Sequence, residues 1–322
     1  MIDKNIWLEG MMGVIVGDAL GCPVQFMSRE KIAERPEGPV VGMEFGGVYN
    51  MPEGTWTDDS SMALAALDSI RECGTVDPED IMTRFVRWYE DGEYTPFGTS
   101  FDIGNTCARA IEKFEREHDV NTCGGTRGHS NGNGSLMRIM PVCLYAYDKG
   151  LSDADAVKTL HEVSGLTHNH LRSKMACGLY YFCVKEILDG QGDLKERLQN
   201  GLNKGFSFYE RDILNRVELS YYGRMRDLEE FATIPETGIK STGYVVDSLE
   251  AAVWTLVRTV SFKDCLLMAV NLGDDSDTIG AIAGGLAALY YGYNDILKEW
   301  LAVIKRREWI EELCKMAKMT NR

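Results

Sequence analysis

The chain has 322 residues, 44% of them hydrophobic, and a formal net charge of −15 from 34 basic and 49 acidic side chains. So large an acidic excess excludes the phosphate backbone of a nucleic acid as the main partner and favours cations. Nine cysteines, odd in number and with no Cys-x-x-Cys pair, fit small buried apolar residues of a reducing compartment better than a disulfide or thiolate-zinc framework.

The start of the chain carries Asp3, Lys4 and Glu9 around a short apolar run at 11–16, which does not make a signal peptide. The longest uncharged stretch, 278–293, is too short and too rich in glycine to span a bilayer. We expect a cytoplasmic protein with no membrane partner. The length allows one large domain or two lobes, and the absence of a long linker favours a single domain over 1–322, expected as a monomer.

In chain order, apolar residues at helical spacing predict a helix over 5–20, stopped by Gly21 and Pro23. The turn-rich stretch 45–54 leaves room for two short strands, but no sheet is expected. Thr57 reads as the N-cap of a helix running to about Glu72, with Gly74 as its stop. Asp77-Pro78 opens another helix by cap and N1 proline, with Ile81, Phe85, Trp88 and Tyr89 on one side. After Asp102, a helix is expected over 104–114. The glycine-rich stretch 123–135 reads as loop and feeds an apolar helix. Ser152 with Asp155, then Thr167-His168-Asn169-His170, start two more. Residues 190–240 are the least readable. Helices follow Ser241–Leu249 and Ser261–Asp264, and an amphipathic helix closes the chain over 300–319. No βαβ alternation and no repeat appear, so the expected fold is all-α.

Two acidic stretches carry the chemistry. Asn271–Thr278 packs Asp274, Asp275, Asp277 and Thr278 just ahead of an apolar helix rich in Gly and Ala. In an extended segment alternate side chains share a face, so Asp275 and Asp277 would point the same way, with Thr278 at the helix start. Hard oxygen donors at this density suit Mg²⁺ or a similar cation. Capping of the helix by the same acids is the competing explanation. Asp58 and Asp59 are adjacent, and adjacent side chains within a regular helix do not face each other; they converge only where a helix begins. The loop 128–135 offers backbone N–H groups ahead of a helix, which suits a pyrophosphate cradle with Ser130, Asn131, Gly132, Asn133, Gly134 and Ser135 as candidate contacts; an ordinary turn is the competing explanation, and the motif gains weight only from its place in the ordered set below.

Five stretches, in order, resemble the ADP-ribosylglycohydrolase family, which includes dinitrogenase-reductase-activating glycohydrolase. They are Gly17-Asp18-Ala19-Leu20-Gly21, Thr57-Asp58-Asp59-Ser60, Gly132-Asn133-Gly134-Ser135-Leu136-Met137-Arg138, Thr167-His168, and Gly273 to Gly280, with Gly243-Tyr244-Val245-Val246-Asp247 beside them. Together they cover nearly the whole chain. The resemblance implies an all-α globule with a two-metal centre at helix N-termini, two Mg²⁺ or Mn²⁺ ions held by Thr57, Asp58, Asp59, Asp275, Asp277 and Thr278. It implies hydrolysis of the bond joining ADP-ribose to a modified side chain, often arginine, of a protein or small conjugate. Asp102 matches a family carboxylate and is the expected base, with Asp59 as ligand and base in one the alternative. Gln25 stands where many members carry Glu; it keeps a carbonyl donor but loses charge and basicity, and is expected at the ribose or a water. Asn105, His168 and Tyr244 complete the expected substrate contacts. Arg138 is expected to form an internal salt bridge. Two other readings compete: a non-catalytic ADP-ribose-binding or crystallin-like protein, which Gln25 favours, and a magnesium-dependent phosphohydrolase, which no residue demands.

Overall fold

A computed structural model describes residues 5–320, with side chains through 317; Asp3 and Lys4 lie outside the described residues. The chain runs through α1 (Ile6–Gly21), α2 (Arg29–Ala33), α3 (Asp58–Cys73), α4 (Pro78–Asp91), α5 (Asn105–Glu117), α6 (Met140–Asp148), α7 (Asp153–Gly165), α8 (Leu171–Asp189), α9 (Leu194–Tyr209), α10 (Arg216–Leu219), α11 (Leu228–Ala232), α12 (Val245–Arg258), α13 (Phe262–Asn271), α14 (Ser276–Tyr291), α15 (Lys298–Val303) and α16 (Arg307–Thr320). Among the described residues there is no β-strand; stretch 45–54 contributes only the isolated bridge between Gly46 and Met51. The all-α expectation holds.

Local chemistry sets most of these boundaries. Asp77 accepts from the N–H groups of Glu79 and Asp80 at 3.0 and 3.2 Å and opens α4. Ser152 and Ser261 cap α7 and α13 in the same way, and Gly74 ends α3 at φ 67°. Three boundaries add to or depart from the expectation. Residues 190–240 contain the 16-residue α9, opened by a capping box of Asp193 and Glu196 whose pattern is present in the sequence. The stretch Thr167–His170 leads into α8 as expected, and His170 is its cap, accepting from Arg172 N. The C-terminal amphipathic segment breaks into α15 and α16 because Arg306 sits at φ 55°, held by its bond to Thr95 O at 2.9 Å and by stacking on Trp309.

α1 and α14 form the axis of the fold. Ile6–Val24 is long and apolar enough to cross a membrane by composition, but 89% of its most apolar window is buried inside the fold. It can come so close to α14 because glycines face each other. A Cβ built on Gly17 falls inside the carbonyl of Gly280, one on Gly13 inside that of Gly284, and the reverse holds from α14. This contact explains the Gly- and Ala-rich tail that follows the acidic stretch. It brings Asp18, near the end of α1, level with the start of α14.

Gly17→Ala is expected to destabilise the protein by about 3–5 kcal/mol, because two backbones would have to separate. Gly10→Ala meets only the flexible ends of Met140, Leu144 and Leu289, at 3.1, 3.2 and 3.4 Å, and is expected to cost far less. Urea midpoints of the two variants check this; equal shifts would rule out backbone contact as the cause.

Candidate active site

The N-terminus of α3 is capped from a distance. Thr57 occupies the cap position, but its side chain makes no capping bond. Asp18 does the work instead. It accepts from Thr57 N with both oxygens at 3.0 Å, from Ser60 N at 3.0 Å and from Ser60 Oγ at 2.6 Å. An acid inside an apolar, buried helix is the sequence signal that singles Asp18 out, although its motif alone gives it no role. Burial drives the Asp18 pKa up to about 7, against the pull of these hydrogen bonds. Thr57 Oγ1 is left to donate to Asp59 Oδ2 at 3.4 Å.

With that cap in place, Asp58 and Asp59 are free to face outward from the first turn of α3 into a cavity of about 790 Å³. The start of α14 lines the same cavity with Asp275, Asp277 and Thr278. The two acids do not alternate along an extended segment: Asp275 is the N-cap residue and Asp277 already lies in the first helical turn. Their convergence comes from the turn into the helix. Asp275 N donates to Ser241 O at 2.9 Å, and Asn133 Nδ2 donates to Asp275 Oδ2 at 2.5 Å. Neither Asp275 nor Thr57 caps through its side chain; Asp58, Asp59 and Asp277 lie in first helical turns, where the dipole favours them without a capping bond.

Burial pushes Asp58, Asp59 and Asp277 well above the ordinary carboxylate range, and mutual repulsion adds to it. Asp59 senses Asp18, Asp58 and Asp275; Asp277 senses Asp275 and Asp59. Burial raises Asp275 to about 6, opposed by its bond from Asn133. Among the described residues no three His, Cys, Asp or Glu side chains are drawn into a ready-made cage for a metal. Two buried oxygens, Asp59 Oδ1 and Asp277 Oδ1, nevertheless have no hydrogen-bond donor. Oxygens left bare in this way fit a hard cation, which would satisfy them and offset the repulsion.

Asp102 lines the cavity from the segment before α5. It does not cap α5, whose N-cap is Gly104. Its backbone is left-handed at φ 58°, and Tyr49 donates to its Oδ1 at 2.9 Å. Phe101 packs edge-on to Tyr49 at 5.3 Å and fixes that donor. Burial raises the Asp102 pKa, with hydrogen bonding from Tyr49 working against it. Gln25 is fully buried on the same wall. Its amide is close enough to be felt by Asp102, yet neither Oε1 nor Nε2 makes a hydrogen bond of good geometry.

The glycine-rich loop reaches the cavity only in part. Asn105, Gly132, Asn133, Gly134 and His168 line it; Ser130, Asn131, Ser135, Tyr244 and Thr57 do not. Those five hold the framework. Asn131 Oδ1 accepts from Ser173 Oγ at 3.0 Å, and Ser135 Oγ from Ser164 Oγ at 2.9 Å. Ser130 N donates to Arg127 O at 2.8 Å, and Asn133 N to Gly243 O at 3.0 Å, so these N–H groups are not available to a phosphate. Bridges from Gly125 to His168 and from Gly132 to Tyr244 tie the loop to both neighbouring segments. Tyr244 is turned away toward Arg172, whose Nη1 donates to its hydroxyl at 2.9 Å. His168 is buried, its Nδ1 2.8 Å from Thr167 Oγ1, and burial lowers its pKa to about 3, so it is neutral. Arg138 forms no salt bridge among the described residues. Its guanidinium donates to Gly134 O and Val163 O and lies over the Phe85 ring. It is held behind the cavity wall as a buried cation near the acids.

A sequence model of the ADP-ribosylglycohydrolase family matches residues 5–322. The chain is 32% identical over 306 residues to an ADP-ribosylarginine hydrolase Tri1 of Serratia proteamaculans, covering 94% of this chain and 76% of that protein. It is 32% identical over 295 residues to the ADP-ribosyl-[dinitrogen reductase] glycohydrolase of Rhodospirillum rubrum, covering 92% and 88%. A solved structure described as an ADP-ribosylglycohydrolase-related protein complex superposes with a TM-score of 0.78 at 29% identity, over 99% of this chain and 98% of that one. On this evidence the chain is a glycohydrolase and belongs to the ADP-ribosylglycohydrolase family.

Proposed function

We propose that this enzyme removes ADP-ribose from a modified arginine side chain, with a pair of divalent cations, Mg²⁺ or Mn²⁺, at the carboxylate cluster. The observation that carries the reading is the meeting of Asp58 and Asp59 with Asp275 and Asp277 on one buried wall, two of their oxygens without a donor. Asp58, Asp59, Asp275, Asp277 and Thr278 would hold the cations, and Thr57 would orient Asp59. Cations so held supply a lowered pKa for a nearby water and a grip on sugar hydroxyls.

The chain's own residues do the rest. Tyr49 occupies one oxygen of Asp102 and leaves the other for the proton of the attacking water. Gln25 presents an unpartnered amide that reads a ribose hydroxyl or that water. Gly132, Asn133, Gly134 and neutral His168 form the wall against which the diphosphate and ribose lie. Both relatives quoted above act on ADP-ribosylated targets, and one is named for arginine, which supports that linkage here. The test is to incubate the enzyme with arginine-ADP-ribosylated and serine-ADP-ribosylated protein, each with Mg²⁺ or with chelator, and to follow free ADP-ribose. Release from the serine conjugate alone would overturn the arginine reading; equal release under chelation would overturn the cation reading.

Chelation and pH should also interact. Asp275 and Asp18 have folded pKa values raised to about 6 and about 7, above the ordinary 3.8. The stability they contribute is therefore complete below pH 3.8 and lost as pH rises through 6 to 7. Buried His168 and His161, lowered to about 3 and about 4, act oppositely as pH falls, but equally with and without cation. The gain in melting temperature from Mg²⁺ over chelator should thus grow from pH 4 to pH 7, since protons and cations compete for the same carboxylates. A gain independent of pH would contradict the assignment.

A further inference from the structure

A second cavity, of about 760 Å³, lies between α7, α8 and α9. It is nearly the size of the first and shares none of its lining residues. The segment 165–169 separates the two: Gly165, Leu166 and Asn169 face the second, His168 the first. Val157, Leu166 and Phe208 give it an apolar body.

Its charged lining is two ammonium groups, Lys158 and Lys174, and one carboxylate, Glu162, with the His161–Tyr209 pair beside them. Lys174, half-buried on α8, makes no ion pair and no side-chain hydrogen bond among the described residues. The acid it senses, Glu162, is exposed and pairs with Lys158 at 3.8 Å. Burial lowers the Lys174 pKa, with the Glu162 carboxylate working against it. His161 Nε2 lies 2.8 Å from Tyr209 Oη, with the two rings stacked. The Tyr209 phenol is buried and held protonated, and His161 is the only hydrogen-bond acceptor its hydroxyl has among the described residues. The hydroxyl therefore donates to Nε2, which places the imidazole proton on Nδ1. Nδ1–H has no partner among the described residues. An ammonium without an ion pair and an N–H without a partner among the described residues, beside an apolar wall, suit an anion with an apolar body.

We propose that this cavity is a second ligand site, distinct from the active site, that takes a small organic anion with its carboxylate or phosphate on Lys174 and His161 and its apolar part against Val157, Leu166 and Phe208. Calorimetric titration with benzoate and with phenyl phosphate tests it and separates the two anion classes. One-to-one saturable binding of at least one probe is expected. Lys174→Met should weaken it about tenfold or more, Lys174→Arg should retain it within about threefold, and Asp275→Asn in the other cavity should leave it unchanged. Lys174 is partly exposed, and the melting temperature of Lys174→Met checks that the variant is folded. If neither probe saturates, if Lys174→Met binds as wild type does, or if Asp275→Asn abolishes binding, the site does not exist as described.

Discussion

Asp277→Asn is expected to lower the rate of ADP-ribose release by about 10³-fold or more while making the cation-free protein more stable. The two effects have one source. Asp277 is buried at the start of α14, one oxygen has no donor, and Asp275 and Asp59 repel it. Two like charges about 4 Å apart cost about 4 kcal/mol at an effective dielectric near 20. The helix dipole at α14 returns only about 0.3–1 kcal/mol to an acid in that turn. Repulsion wins, so the neutral, equal-sized amide should relieve the folded state. On the proposed reading, bound cations would reverse the balance in the wild type, and the variant would lose that ability. Thermal melts with chelator should show Asp277→Asn above wild type, and with Mg²⁺ the order should invert. A variant that keeps activity within tenfold, or that is less stable under chelation, would remove the cation centre from the account.

The same balance explains which parts of the site were legible in sequence. Asp58-Asp59 and Asp275-x-Asp277 stand out because acids packed so densely beside apolar helices have no cheap place on a surface, and both pairs meet in one cavity. Caps with local partners, at Asp77, Ser152 and Ser261, were readable for the same reason: donor and acceptor lie within three residues. Contacts between distant segments were not. Asp18 caps a helix 39 residues away, and nothing around Thr57 announces that its own hydroxyl is replaced. Tyr49 meets Asp102 from a stretch that reads only as turns. In the glycine-rich loop, Ser130, Asn131 and Ser135 looked like ligand contacts because they are polar. Their partners, Arg127, Ser173 and Ser164, are too far along the chain, or too ordinary, to be anticipated. Arg138 is the reverse case: its environment is two carbonyls and a ring, which no charge pattern foretells.

Asp102→Asn is the sharpest probe of the chemistry itself. Residue 102 sits at φ 58°, a conformation that Asn and Asp share more readily than Ala does, so the amide tests the carboxylate without disturbing the backbone. The Tyr49 hydroxyl can still donate to the amide oxygen. What is lost is the capacity to take a proton, and kcat is expected to fall about 10²–10⁴-fold. KM and the affinity for ADP-ribose should change little, because the cavity keeps its shape and its other polar groups. Tyr49→Phe removes only one hydrogen bond to Asp102 and should cost about tenfold. A structural role for Asp102 would produce a different pattern, with ADP-ribose affinity, melting temperature and turnover falling together. Loss of Mn²⁺ binding in Asp102→Asn would instead make it a cation ligand and pass the role of base to Asp59, which lines the same cavity.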